Sequence, residues 1–139
     1  MSNYDSHMQV CGAAFIPTSD ALVTCDPAAA DSAIQVVGTW RELPLTKAEF
    51  SEEESENGLV TQKFEGSMTV AENGVLTNLR NLCTNYGLLR IDYTNGERRV
   101  VGDDEWPVML QVTREGEPVK VKLSLKRVTC TRSRLLASL

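Results

Sequence analysis

The chain has 139 residues, 42% of them hydrophobic, with 14 Lys and Arg against 19 Asp and Glu and a net charge of −5. That is the size of one domain around one core, and no window reaches the roughly 18–20 consecutive apolar residues of a membrane-crossing helix. The single imidazole, His7, lies in a polar start, and Gly-x-Ser-x-Gly, Walker and Gly-x-Gly-x-x-Gly sequences are absent, so His-dependent nucleophilic and nucleotide-loop chemistries drop out.

Residues 1–33 are rich in Ala, Ser, Thr, Asp and Pro, with short apolar patches at Ala13 to Ile16 and Ala21 to Val23. They read as an extended arm or loosely paired edge strands followed by an Asp26-Pro27 turn. Residues 34–139 read as a single β-sandwich domain. Its first strand runs from Ile34 to Leu43, with Ile34, Val36, Gly38 and Trp40 on one face and Pro44 as its stop. The segment 46–58 sets Lys47 against Glu49, Glu52, Glu53, Glu54 and Glu56, with Phe50 its one large apolar residue. Like-charge runs of this kind are normally solvated, so an acidic loop is expected here.

From Val60 to Val70 the chain alternates strictly, Val60, Gln62, Phe64, Gly66, Met68 and Val70 on one face. Eleven residues would extend about 36 Å, longer than most strands of compact domains, so part of this one is expected to reach beyond the body. At Asn73 the period changes: Val75, Leu76, Leu79, Leu82 and Cys83 recur at helical spacing, Asn73 suits the start and Gly87 the end, which predicts a helix over 74–84.

After the helix come Leu89, Ile91 and Tyr93; a type I′ turn at Asn95-Gly96; Arg98 to Gly102; Val108, Leu110 and Val112; and Val119, Val121, Leu123 and Leu125. In the last strand the apolar phase shifts at Lys126-Arg127, which predicts that Val128 and Cys130 turn inward, the mark of a β-bulge. The predicted fold class is therefore mainly β (α+β): an antiparallel β-sandwich or partly closed barrel of six to seven strands flanked by one α-helix.

Cys11, Cys25, Cys83 and Cys130 are far apart and form no Cys-x-x-Cys pair, which disfavours structural zinc. Cys83 and Cys130 read as small buried hydrophobes; a Cys11 to Cys25 disulfide stays open, less favoured because Met1 to His7 lacks the basic region of a secretory signal and the chain reads as made in the cytoplasm. Asp92 to Asp103 has the glycine one place early for a calcium loop, and Gly96 belongs to a hairpin turn instead. Trp106, beside Pro107, reads as an anchor at a strand start. No cofactor, metal or catalytic residue is indicated.

Charge is laid out unevenly. Residues 42–58 carry six acids against one base, whereas residues 111–139 carry seven bases against two acids. Two independent solvated faces would explain this, as would nucleic-acid binding through Lys120, Lys122 and Lys126, although no aromatics interleave there. The third reading joins the patches: an acidic loop carrying Phe50, Glu52, Glu53, Glu54 and Glu56 meets a basic strand carrying Lys120, Lys122, Lys126 and Arg127 on the next copy. Such a heterologous contact builds rings or open stacks.

The order of Gly38-Thr39-Trp40, Gln62-Lys63-Phe64-Glu65-Gly66, the helix around Leu76 to Leu82, Asp92 to Gly96 and Arg99-Val100-Val101-Gly102 resembles small tail-associated structural proteins of tailed bacteriophages, the tail tube and tail terminator superfamily. The resemblance covers about residues 34–131. It implies a non-enzymatic virion subunit assembled in the host cytoplasm, whose partners are itself and other tail proteins, with no membrane and with nucleic acid at most passively enclosed. It also implies that 46–58 is the loop that stacks on a neighbour. Gly38-Thr39-Trp40 is separately similar to the Gly-x-Trp strand of lipocalins, which would imply a barrel around a small apolar ligand with Arg127 or Arg132 over the indole.

Overall fold

A computed structural model describes residues 9–24, 33–69, 73–103, 106–115, 120–129 and 132–136. The chain order is β1 Val10–Pro17, a 3-10 turn Thr18–Asp20, β2 Leu22–Thr24, β3 Gln35–Val37, β4 Arg41–Leu43, β5 Lys47–Glu54, β6 Val60–Thr69, α1 Asn73–Cys83, β7 Gly87–Tyr93, β8 Arg98–Val101, β9 Gln111–Glu115, β10 Lys120–Thr129 and β11 Arg134–Leu135. The strands form an antiparallel five-stranded sheet, β11-β8-β7-β1-β4, a four-stranded sheet, β5-β6-β10-β9, and a ribbon of β2 and β3. None of these sheets closes into a barrel, as a sandwich with one helix requires and as a lipocalin-like ligand barrel does not.

Alternation places the main core between the two sheets. Phe64, Met68, Val121 and Leu123 come from the four-stranded side and Phe15, Leu89, Ile91 and Val101 from the other, all 2% exposed or less. Burying one such side chain contributes about 1.5–3 kcal/mol. Leu79 and Cys83 bring the helix onto this core. The helix end is closed by Thr84 Oγ1 and Asn85 Nδ2, which donate to the Asn81 carbonyl at 2.8 and 3.1 Å, while Gly87, expected as the stop, begins β7.

A second core lies on the opposite face of the five-stranded sheet, where Ile16, Leu88 and Val100 are covered by Ile34 and Val36 with Val23 and Trp40 alongside. This explains a departure from the sequence reading. Residues 10–17 are no arm: β1 sits inside the sheet between β7 and β4, and its small residues Gly12, Ala13 and Ala14 hid a strand buried on both faces. The predicted strand from Ile34 to Leu43 is likewise two short ones. It breaks at Gly38, whose φ of +154° lies in the glycine-favouring region and where a Cβ would stand 2.5 Å from the Asp20 carbonyl oxygen and 2.7 Å from Ile16 Cδ1.

Four further expectations are corrected. The acidic segment 46–58 is mostly strand, because Lys47–Glu54 pairs with β6 along its whole length and turns Ala48, Phe50 and Glu52 inward. β6 does not overhang, since β10 accompanies it from Thr69 to Val60. β10 has no bulge: its register is unbroken, so Arg127 faces inward and Val128 is 59% exposed. The β7 to β8 hairpin is a type I turn with a glycine bulge in place of type I′, as no described non-glycine residue has positive φ while Gly96 has φ +89°; Gly96 N donates to Tyr93 O at 3.0 Å and Tyr93 N to Glu97 O at 2.9 Å. Cys25 and Cys130 fall outside the described residues, as does the Asp26-Pro27 turn.

Replacing Gly38 with Ala should cost about 1–3 kcal/mol in urea unfolding, by forced overlap and an unfavourable φ together. Burial pushes the Cys83 thiol from 9.0 up to about 11, whereas Cys11 is exposed. The neutral buried thiol therefore stabilises the fold below pH 9, and that contribution fades as pH rises through 11. Brief alkylation at pH 8 followed by peptide mass mapping should find label on Cys11 and none on Cys83.

Candidate self-association surface

The two charged sets meet on one sheet. Registers set Lys47 level with Ser67, Lys122 and Thr113, and Glu49 level with Glu65, Ser124 and Gln111. In the same way Ser51 is level with Lys63 and Lys126, and Glu53 with Thr61 and Val128. These residues make the outer face of the four-stranded sheet. β5 forms one border, paired only with β6 among the described residues, and β9 forms the other. In the middle the charges are compensated, with Glu65 Oε1 3.8 Å from both Lys63 Nζ and Lys122 Nζ. Toward the borders Glu53 on β5 and Lys120 and Lys126 on β10 stay exposed, and Glu49 lies directly opposite Glu65, a like-charge pair across strands.

Several of the sequence-predicted contact residues face the other way. Phe50 is half-buried against the main core. Glu52 joins an inward row across three strands, Glu52 to Gln62 to Arg127. Gln62 Nε2 donates to Glu52 Oε2 at 2.7 Å, Arg127 Nε donates to Gln62 Oε1 at 2.7 Å, and Arg127 Nη1 donates to the Trp106 carbonyl at 3.0 Å. Ser133 completes the row, its N–H and hydroxyl each donating to a different Glu52 oxygen at 2.7 Å. Gln62 is 0% exposed, and burial lowers the Arg127 pKa against the opposing charges of Asp103 and Glu52. Glu54 pairs with Arg132 at 3.6 Å, and Glu56 stands exposed in the β5 to β6 turn.

This network was missed because Gln62 occupies an inward position in an apolar alternation. A polar residue there is itself the signal, since burial without a partner costs a few kcal/mol.

A second polar cluster caps the ribbon side. The Arg90 side chain is 5% exposed and lies 5.5 Å from the Trp40 ring, donates to Asp92 Oδ1 and Oδ2 at 2.8 and 3.0 Å, and reaches Glu42 at 2.5 Å. Desolvation alone would depress this guanidinium, but the hydrogen bonds and charges of Asp92 and Glu42 outweigh it and raise its pKa. The cation over Trp40 is thus Arg90; Arg127 and Arg132, expected there by the lipocalin likeness, bind elsewhere. Trp106 is no anchor, at 69% exposed.

Compared with known protein families, curated proteins and solved structures, the chain matches none. Among the described residues no group of three or more His, Cys, Asp and Glu is arranged to hold a metal ion. The surface is therefore characterised by its own geometry: an open, charge-graded sheet with polar rows tying its inner side to the rest of the fold.

Glu52→Ala would leave Gln62 Nε2 and both Ser133 donors without their acceptor, and should cost about 2–4 kcal/mol of unfolding free energy. Amide exchange of Arg134 and Leu135 should accelerate in the same variant, because Ser133 leads into β11.

Proposed function

We propose that this protein is a non-enzymatic structural subunit that self-associates edge to edge, the acidic border of one four-stranded sheet joining the β9 border of the next, to build a ring or stacked tube. One observation carries the reading: among the described residues the border strands β5 and β9 pair on one side only, run in opposite directions and differ in charge. β5, β6, β10 and β9 alternate in direction, so rotation about an axis along the strands brings β5 of one copy antiparallel to β9 of the next. Sheet pairing can then continue through every copy, satisfying edge donors and acceptors.

Charge selects this mode over its rival. A two-fold contact of β5 with β5 would set Glu49 and Glu53 against their own kind, while head-to-tail joining sets them toward the side that carries Lys120 and Lys126. Such contacts form rings when the rotation closes and open stacks when it does not. The likeness to tailed-bacteriophage tail proteins supplies the setting: a virion tail or related contractile assembly, assembled in the host cytoplasm, with other tail proteins as further partners and nucleic acid only passively enclosed. In that setting 46–58 works as an edge strand and turn, and the Glu56 tip is free to reach a neighbouring ring.

Sedimentation velocity at rising protein concentration in low salt should show growing species, and negative-stain images should show rings or tubes. Raising salt to about 0.5 M, where the Debye length falls to a few ångströms, or reversing Lys120 and Lys122 to Glu, should shift the distribution toward monomer. A strict monomer at millimolar concentration in low salt would remove the reading.

A further inference from the structure

The two borders of the four-stranded sheet are not equally long, and the mismatch falls at one place. Among the described residues β9 accompanies β10 only from Lys120 to Ser124, and from Leu125 to Thr129 β10 is paired with β6 alone. The chain before Gln111 leaves for the other sheet, where Val108 and Gly87 exchange hydrogen bonds of 2.7 and 2.8 Å. The result is a notch in the border, one strand wide, and Met109, Leu125 and Lys126 also line a shallow hollow on the outer face together with Lys63, Glu65 and Lys122.

Three exposed apolar side chains belong to the segments that bound the notch: Met109 before β9, Val128 on the unaccompanied half of β10, and Trp106, whose carbonyl is tied to Arg127. Trp106 is 69%, Val128 59% and Met109 38% exposed. Trp106 is held there by its backbone on both sides: its N–H donates to Asp103 Oδ1 at 2.7 Å and its carbonyl accepts from Arg127 at 3.0 Å. An indole fixed by its own main chain yet left open to solvent is a surface that a neighbouring strand can cover.

The registers say what arrives there. If copies repeat at the same level, Lys47 and Glu49 of the neighbour run beside Thr113 and Gln111, where β9 is present. Its Ser51 to Glu54 half comes level with Lys126 to Thr129, where β9 is missing. Two strand spacings of about 4.8 Å and a two-residue step of about 3.3 Å per residue put Lys126 and Glu53 about 12 Å apart at their Cα atoms, a gap that extended lysine and glutamate side chains together can cross.

Resting on the self-association reading, we propose that this notch is the seat for the acidic half of β5 from a second copy. Trp106 and Met109 fill the missing strand's width beneath it, and on the outer face Lys126 reaches diagonally to the neighbour's Glu53, which stands level with Val128. Arg127 is a positioning residue here, since it holds the Trp106 carbonyl at the mouth. The notch would then fix the level at which copies join.

The test is sedimentation of the full chain at low salt, comparing wild type with Glu53→Lys, Lys126→Glu, the two combined, and Trp106→Ser. All three substitutions fall on exposed side chains, and circular dichroism checks that each of the four variants folds. Each single reversal should weaken self-association about fivefold, and the combined swap should restore it to within about twofold. Trp106→Ser should weaken it by about tenfold or more. If wild type associates and the variants associate equally well, the notch is not the seat while edge joining stands. Weakening by both reversals without rescue in the swap also overturns the pairing. A wild type that never associates removes the notch and the edge reading together.

Discussion

The uninterrupted pairing of β6 with β10, ten residues long in each strand, is the constraint from which the other arrangements follow. It keeps one parity over the full length of both strands, so Phe64, Met68, Val121 and Leu123 stay inside together and Lys63, Glu65, Lys122 and Lys126 stay outside together. A slip of one residue would exchange the two sets. The same pairing carries Arg127 inward onto Gln62, and through Gln62 the register of β5 is tied to that of β10. Alternation in sequence thus becomes the level at which every charge on the sheet stands.

Where the sequence was legible, one face of an element differed from the other. Val60 to Met68 and Val121 to Leu125 alternate because one face meets core and one meets water, and Leu79 with Cys83 repeats at helical spacing for the same reason. β1 was opaque because both its faces are buried, one by the main core and one beneath the ribbon, leaving no polar positions to mark a period. β5 was opaque for the opposite reason: as a border strand it shows its acids to solvent, and charge outweighed the alternation of Ala48, Phe50 and Glu52. Val128 suggested a bulge because an apolar residue was assumed to lie inside; it lies outside, while a charged residue lies inside with its partners.

The same logic separates what was read of the surface from what was not. The contrast between an acidic stretch and a basic one was plain in the amino-acid order, but their distance from each other was not. Only the sheet order brings β5 and β10 within one strand of each other, and only side-chain direction sorts Glu53, Lys120 and Lys126 from Glu52 and Arg127. Glu54 is held by Arg132 and Glu52 by Ser133, so part of the acidic run secures the fold and part remains outward. Adjacent residues on one strand divide these tasks because they point to opposite sides.

The ribbon of β2 and β3 gives the molecule a front and a back. It roofs the far side of the five-stranded sheet with Ile34 and Val36, whereas the outer side of the four-stranded sheet has nothing laid over it among the described residues. Were copies to join as proposed, they would all keep the same side outward, like tiles, because rotation about an axis along the strands does not exchange the two faces. In any closed course of such tiles the wall would be charged on one surface throughout and ribbon-clad on the other.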